Sequence, residues 1–210
     1  MSDPRYTPLR ERHEALGASF TDFGGWQMPV RYTSDLAEHH AVRQAAGIFD
    51  ISHMAEFLVT GDFAGEFLDY SLAGRLSAMP VGKAKYSLML ADDGGIIDDV
   101  IVYRLADDRF LVIANAGNRG FVDSAFASRV RSFPSRIERE RAPLAAGEDR
   151  TFEGFLGDRG VDVEDVSDEY ALLAVQGPAS EAIVSSTAGI TDLSTCLLYT
   201  SDAADDSLRV

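Results

Sequence analysis

The run from Gly94 to Tyr103 constrains the fold most strongly, because it places two carboxylates inside a predicted strand. Asp92 to Gly95 forms a complete turn signal, since glycine tolerates positive φ and aspartate bonds its own backbone. The β-branched run that follows predicts a strand, whose side chains alternate between two faces. Asp98 then lies on one face and Asp99 on the other, and the remaining side chains of both faces are apolar or aromatic. Whichever face is the core, at least one carboxylate points into it.

A carboxylate in this position has two interpretations. Burial of an ionised carboxylate costs several kcal/mol or more unless it is paired or hydrogen-bonded. The aspartate can be a strand-entry residue that neighbouring backbone N–H groups satisfy. It can also be held in a ligand cavity, the kind of site where acids with perturbed pKa values gather. The strand pattern alone leaves both interpretations open.

Composition limits the class of protein. The chain has 210 residues, 46% of them hydrophobic and 25% charged, which is typical of a soluble globular protein of one large or two small domains. No apolar run approaches a membrane span, and the N-terminus lacks the pattern of a signal peptide. The net charge of −15 argues against a nucleic-acid partner. We therefore expect a soluble cytoplasmic protein with no membrane or nucleic-acid partner.

The C-terminal end differs in character from the rest of the chain. Residues from about Thr195 to Val210 resemble the conceptual translation of a transposase-type sequencing adapter, and they include the one cysteine. We exclude them from fold prediction as an adapter-derived scar that is not natural protein. We also expect the natural gene to continue, so that the chain is an N-terminal fragment and inactive alone.

The remaining pattern predicts an α+β fold. From Phe57 to Val130 the predicted order is β-α-β-β-β-α, close to a split βαβ, ferredoxin-like unit. Its last three strands are predicted over Lys85 to Leu90, Ile96 to Arg104 and Phe110 to Ala114, and its last helix over Asn118 to Val130. The pattern weakens from Arg131 to Gly160, where both signs of charge mix, so a solvated insertion is expected near 132–160. A strand from Glu169 to Val175 and a helix from Ala179 follow.

Taken together, these residues resemble the T-protein family of the glycine cleavage system, the folate-dependent aminomethyltransferases. The resemblance covers about Tyr6 to Ser194. Each block alone is weak, but the blocks occur jointly and in the family's order. They are Thr7-Pro8-Leu9, Asp22 to Pro29, Glu38 to Arg43, Gly47 to Met54, Gly82 to Ser87, Gly94 to Tyr103, Asn115 to Arg119 and Ala174 to Pro178.

The resemblance implies a fold of three domains around a central folate cavity. Residues 1–55 and 161–194 would be parts of a split first domain. Residues 56–160 would be an inserted ferredoxin-like domain, with a stretch from about 132 to 160 that is longer than the family usually has. The rest of the first domain and the C-terminal barrel domain are missing from the chain.

The resemblance also implies a reaction. The family passes an aminomethyl group from the lipoyl arm of the H-protein to tetrahydrofolate, with release of ammonia. The family's critical aspartate corresponds to the second of the pair, Asp99, which would orient the amine nucleophile and stabilise developing positive charge. Asp98, on the opposite face, is then structural. The implied partners are tetrahydrofolate, lipoylated H-protein and the other glycine cleavage proteins.

Further residues match the folate site by resemblance, each with a structural alternative. Met54 and Tyr86 match the lining of the pterin cavity, or are core residues. Asn115 could bond folate or cap the following helix, and Ile113 could line the cavity or be plain core. The remaining candidates have weaker support. Three histidines, His39, His40 and His53, complete no metal-ligand spacing, and Lys83 and Lys85 could attract a folate tail or an acidic H-protein surface, or be solvated.

Two other classes of function share these features. Folate-binding relatives with the same fold include iron–sulfur maintenance proteins and domains of dimethylglycine or sarcosine oxidoreductases. A non-catalytic folate-binding module would take up folate without turnover. The run of family blocks favours the aminomethyltransferase.

Overall fold

The computed structural model describes residues 3–141 and 160–187. The chain folds into two compact units. One unit comprises the described residues before Glu56 and from Ser167 onward, and the other comprises those from Glu56 to Val166. Residues 142–159 of the predicted insertion, and the adapter-like residues 195–210, lie outside the described residues. No helix in the described part of the chain is long and apolar enough to cross a membrane.

The first unit contains two small antiparallel sheets and three short helices. In the first sheet, Phe23 pairs with Trp26 across a turn in which Gly24 has a φ of 60°. In the second sheet, Gly47 pairs with Gln176, which joins the two separated segments of the chain. The elements are α1 (Arg10–Ala15), β1 (Ser19–Phe23), β2 (Trp26–Arg31), α2 (Asp35–Gln44), β3 (Gly47–Asp50), β9 (Leu173–Gln176) and α5 (Ser180–Ser185).

A buried acid links the first helix of this unit to β3. The Asp50 carboxylate accepts a hydrogen bond from Thr7 Oγ1, and its Oδ2 lies 2.7 Å from Nε2 of the buried His13. The other oxygen accepts the Ser52 backbone N–H at 3.0 Å. Burial by itself raises the pKa of Asp50, but the hydrogen bonds from Ser52, Thr7 and His13 outweigh it and hold that pKa below its usual value.

This cluster predicts an acid-dependent loss of stability. Because the folded-state pKa of Asp50 is lowered, its contribution is fully present above the unfolded-state pKa of about 4 and is lost as the pH falls through the folded-state value. Thermal melts between pH 7 and pH 2 should therefore show a smaller decline for Asp50→Asn than for the wild type. Equal declines in the two proteins would contradict this role of Asp50.

The second unit is one five-stranded sheet with two helices. The elements are β4 (Ala55–Thr60), α3 (Ala64–Ser71), β5 (Ala84–Leu90), β6 (Ile96–Ala106), β7 (Arg109–Ala114), α4 (Arg119–Arg141) and β8 (Asp162–Asp165). The strands lie in the order β5-β6-β7-β4-β8, so the hairpins β5–β6 and β6–β7 form one half of the sheet and β4 and β8 the other. The predicted β-α-β-β-β-α order is observed, followed by one more strand at the sheet edge.

Aromatic rings from both helices form the core against β4. The Phe126 ring of α4 lies 5.7 Å from Phe57 of β4 and 5.9 Å from Phe67 of α3, measured between ring centroids. Phe133, further along α4, packs edge-on against Phe67 at 5.3 Å. All four rings are buried. The two helices therefore cover one face of the sheet.

Several predicted boundaries are wrong. The last helix of this unit runs to Arg141 and not Val130, because arginine and glutamate favour helix and alternating charges suit a solvated helix as well as a loop. The sequence pattern missed β3 and β8, which have only four residues each. Within the described residues, α3 has Phe63 at its N-cap and no side-chain capping bond.

Candidate functional site

The hairpin between β5 and β6 fixes which side chains share a face. The Ala91 N–H donates to the Gly95 carbonyl at 2.7 Å, and Gly94 adopts a φ of 86°, as the turn signal predicts. The Asp93 carboxylate accepts the Gly95 N–H at 2.9 Å. This turn sets the register in which Leu88 faces Asp99 across the pair of strands. Register determines the side on which each carboxylate lies.

The two carboxylates of β6 lie in opposite environments. Asp98 is 3% exposed and shares its face with the buried Val100 and Val102, so this face is the core. Asp99 is exposed on the other face, which it shares with the half-buried Ile101 and Tyr103. The strand therefore carries one buried and one accessible carboxylate.

Amide groups satisfy the buried carboxylate. The Asn115 backbone N–H donates to Asp98 Oδ2 at 2.8 Å. Asp98 Oδ1 accepts two further bonds, from Nδ2 of Asn115 at 2.9 Å and from Nδ2 of Asn118 at 2.6 Å. Both asparagines lie where β7 ends and the 3-10 turn before α4 begins. Hydrogen bonds of this kind offset much of the cost of burying a carboxylate.

The Asn115 side chain also holds the accessible carboxylate. Its Nδ2 lies 2.8 Å from Asp99 Oδ1 and 3.2 Å from the Asp99 carbonyl oxygen. One amide nitrogen thus bridges the carboxylates of the two faces. Because carboxylate and carbonyl oxygens can only accept, the amide must direct its nitrogen toward them, and its carbonyl oxygen is directed away.

Apolar side chains surround Asp99 on the outer face of the sheet. Leu88 stands directly across from it and is 36% exposed. The next row of the sheet runs from Tyr86, 51% exposed, through Ile101 to the buried Ile113. Burial, and secondarily the neighbouring Tyr86, raise the pKa of Tyr103 to about 12, so its hydroxyl stays protonated. On the half of the sheet formed by β5, β6 and β7, the outer face is therefore an apolar surface that carries the Asp99 carboxylate.

The structure brings four of the five predicted site residues to one place. All four lie on or next to the half-sheet β5–β6–β7. Asp99 lies in one row across the strands, Tyr86 and Ile113 lie in the adjacent row, and Asn115 follows the end of β7. Met54 belongs to the other unit, where it is half-buried and its N–H donates to the Ile51 carbonyl at 3.0 Å.

Three residues that contact or surround the two carboxylates were not predicted as site residues. Asn118 was visible only as a second asparagine three residues after Asn115. Leu88 and Ile101 could be identified only once the register was known. The lysine Lys85 alternates with Tyr86 along β5 and so lies on the opposite face from it.

The histidines form aromatic contacts. His39 and His40 pack against each other at 5.7 Å, and His53 packs edge-on against Phe23 at 5.5 Å. Burial lowers the pKa of His53 despite the opposing effect of Asp50. Among residues 3–141 and 160–187, no group of three His, Cys, Asp or Glu side chains is placed to hold a metal ion.

The polar groups of the outer face are suited to a ligand that donates hydrogen bonds. The Asp99 carboxylate only accepts, and Asn115 has turned its nitrogen inward. The apolar residues around them would pack against a flat, weakly polar ring. The fold and this face together define a mixed α/β protein with an accessible carboxylate on an apolar sheet surface.

Comparisons with known proteins agree with this class. The family model of the GCVT N-terminal domain matches residues 9–203, and the chain belongs to that family. It is 46% identical over 199 residues to an aminomethyltransferase of Saccharopolyspora erythraea, covering 95% of this chain and 47% of that protein. It is 48% identical over 184 residues to an aminomethyltransferase of Cutibacterium acnes, covering 88% and 43%. The resemblance predicted from the sequence is confirmed.

A solved structure has the same fold. The crystal structure of glycine cleavage system aminomethyltransferase T from Bartonella henselae superposes with a TM-score of 0.69 at 35% identity. The match covers 86% of this chain and 43% of that one. The chain spans about half the length of the curated relatives it matches.

Proposed function

We propose that this chain is the N-terminal half of a glycine cleavage aminomethyltransferase, which moves the aminomethyl group from the lipoyl arm of H-protein to tetrahydrofolate with release of ammonia. One observation carries the proposal: the accessible Asp99 carboxylate, held by Asn115 on an apolar sheet face. Family membership and relatives named aminomethyltransferase support it.

The folate-binding role follows from the chemistry of the outer face. Tetrahydrofolate supplies the amine that accepts the one-carbon group. Tyr86 would pack against the flat pterin ring, with the buried Ile113 in the same row of the sheet. Met54 is proposed as a folate-binding residue from the family resemblance alone. Asn115 would accept a hydrogen bond through its carbonyl oxygen. The residues fit such a ligand because the polar groups accept, and the pterin ring carries N–H donors at its edge.

Asp99 would supply the electrostatic part of catalysis. Its carboxylate can accept a hydrogen bond from the reacting amine and so orient its lone pair. A fixed negative charge also stabilises positive charge that develops at that nitrogen and at the transferred carbon. The hydrogen bond from Asn115 fixes the carboxylate before substrate arrives, so no reorganisation is needed during the reaction.

We further propose a domain assignment. The two compact units would be parts of the family's split first domain and its inserted ferredoxin-like domain. The sequence places the second boundary at 160/161, but we propose that it lies after Val166, because β8 pairs with β4 in the second unit. The ferredoxin-like assignment is supported by the strand order β6-β7-β4-β8 with both helices on one face of the sheet. The strand β5 is then an addition at the sheet edge. The C-terminal barrel domain of the family would belong to the rest of the protein. The enzyme would act in the cytoplasm with lipoylated H-protein and the other glycine cleavage proteins.

The proposal is tested with the product of the complete gene and aminomethyl-loaded H-protein. Ammonia release should be fast only when tetrahydrofolate is present, and methylene-tetrahydrofolate should form in equal amount. Tetrahydrofolate binding without ammonia release would contradict the proposal. It would instead favour a non-catalytic folate-binding module, or a relative that serves iron–sulfur maintenance or dimethylglycine or sarcosine oxidation.

A further inference from the structure

The buried Asp98 carboxylate shares a hydrogen-bond donor with Asp99, which a residue that only stabilised the strand would not need to do. The two side chains point to opposite faces of β6, yet the same nitrogen, Nδ2 of Asn115, lies 2.9 Å from Asp98 Oδ1 and 2.8 Å from Asp99 Oδ1. An amide nitrogen has two hydrogens. Here one hydrogen bond is donated to Asp98 on the core face of the sheet and another to Asp99 on the outer face.

Asp98 is itself firmly held. It is 3% exposed, and its two oxygens accept the Asn115 backbone N–H at 2.8 Å and the Asn118 amide at 2.6 Å. These bonds come from the start of the turn that leads into α4. The carboxylate is therefore a fixed acceptor on the inner side of the Asn115 amide.

That fixed acceptor determines how the Asn115 amide is oriented. If the amide rotated by half a turn, its carbonyl oxygen would face the oxygens of Asp98 and Asp99, and like partial charges would meet. Because each Asp98 oxygen already accepts a hydrogen bond, from the Asn115 backbone N–H or from the Asn118 amide, only the nitrogen of the Asn115 side chain can face inward. Asn115 then always presents a donor to Asp99.

We propose that Asp98 is a positioning residue that orients the catalytic Asp99 through Asn115. The inference rests on the proposed function, because it assigns Asp98 a part in that reaction. Asp98 does not touch the substrate. It fixes the amide that fixes the reacting carboxylate. Its loss should therefore lower turnover more than tetrahydrofolate binding, because binding loses at most the one bond to the Asn115 carbonyl oxygen and keeps its other contacts.

The test is a double-mutant cycle in the complete enzyme, with Asp98→Asn, Asn115→Ala and the double variant. In Asp98→Asn, one oxygen becomes an NH₂ group that faces N–H donors, so the Asn115 amide loses its fixed orientation. We expect kcat to fall roughly 10-fold to 100-fold, the range seen when outer hydrogen-bond partners of metal-binding side chains are removed. The KM and the Kd for tetrahydrofolate should change much less.

The cycle separates positioning from structure. If Asp98 acts through Asn115, adding Asp98→Asn to Asn115→Ala should lower kcat no further, although thermal stability should fall again. Asp123→Asn removes an equal charge from an exposed position of α4 and serves as the matched control. Should Asp98→Asn fail to fold, Asn118→Ala takes its place, since it removes the 2.6 Å bond to Asp98 and leaves both carboxylates intact.

The outcomes distinguish this inference from the proposed function. The positioning role would be overturned if the double variant lost kcat by the product of the two single losses. It would also be overturned if Asp98→Asn weakened tetrahydrofolate binding and turnover equally. Either result would leave the enzyme an aminomethyltransferase. A wild-type enzyme with no aminomethyl transfer would contradict the proposed function and with it this role of Asp98.

Discussion

Asp99→Asn in the complete enzyme is expected to lower turnover roughly 10²-fold to 10³-fold, or about 2.7–4 kcal/mol, as removal of other preorganised electrostatic groups does. Asparagine keeps the size of the side chain, and its carbonyl oxygen can still accept the bond from Asn115. The fold should survive because Asp99 is exposed. Only the negative charge beside the reacting amine is lost. Tetrahydrofolate-dependent ammonia release from aminomethyl-loaded H-protein measures the effect.

The choice of control matters for this variant. The neighbouring carboxylate is unsuitable, because Asp98 accepts bonds from Asn115 and Asn118 and its substitution would disturb Asn115 as well. Asp123→Asn removes a charge from an exposed residue of α4 and should leave turnover near that of the wild type. A loss in Asp99→Asn that thermal melts trace to unfolding, or an equal loss in Asp123→Asn, would defeat the assignment.

Phe126→Ala is expected to destabilise the protein by about 3–5 kcal/mol, the usual cost of truncating a buried phenylalanine. Phe126 is 1% exposed and its ring lies between those of Phe57 and Phe67, so the truncation removes contacts to both a strand and a helix. The cavity cannot collapse easily because the neighbouring rings are attached to different elements. Urea unfolding monitored by circular dichroism measures the change.

The same helix offers a matched control. Phe121 is 69% exposed on α4, so Phe121→Ala makes the same change in helix propensity without opening a cavity. It should alter the free energy of unfolding by no more than about 0.5 kcal/mol. Similar losses in the two variants would show that Phe126 does not anchor the helices to the sheet.

The turn and the strand that carry the site could be predicted from the sequence. Asp92 to Gly95 and the β-branched run after it contain the local signals of a hairpin, and β5, β6 and β7 lie within one or two residues of their predicted bounds. Which face is the core could not be predicted, because both faces of β6 are apolar. That choice depends on α3 and α4, which pack on the side of Asp98.

The hydrogen bonds from the Asn115 amide to both carboxylates could not be predicted from local sequence patterns. Asn115 and Asn118 follow β7. Only the pairing of β6 with β7 brings Asn115 to the two aspartates sixteen and seventeen residues before it, and Asn118 to Asp98, twenty residues before it. The sequence left Asn115 with two roles, a folate ligand or a helix cap. The structure adds a third, since its side chain bonds both carboxylates. Short strands such as β3 and β8 were missed because their pairing partners, not their residues, define them.

The central claim is that the outer face around Asp99 binds the folate. The most direct measurement is a crystal structure of the complete enzyme with tetrahydrofolate bound. We expect the pterin to pack on Tyr86, in the row of the sheet that ends at the buried Ile113. The Asp99 carboxylate should lie within hydrogen-bond distance of a nitrogen of the folate and still be bonded to Asn115. Folate bound elsewhere, with the outer face of β6 covered by protein side chains, would contradict the account.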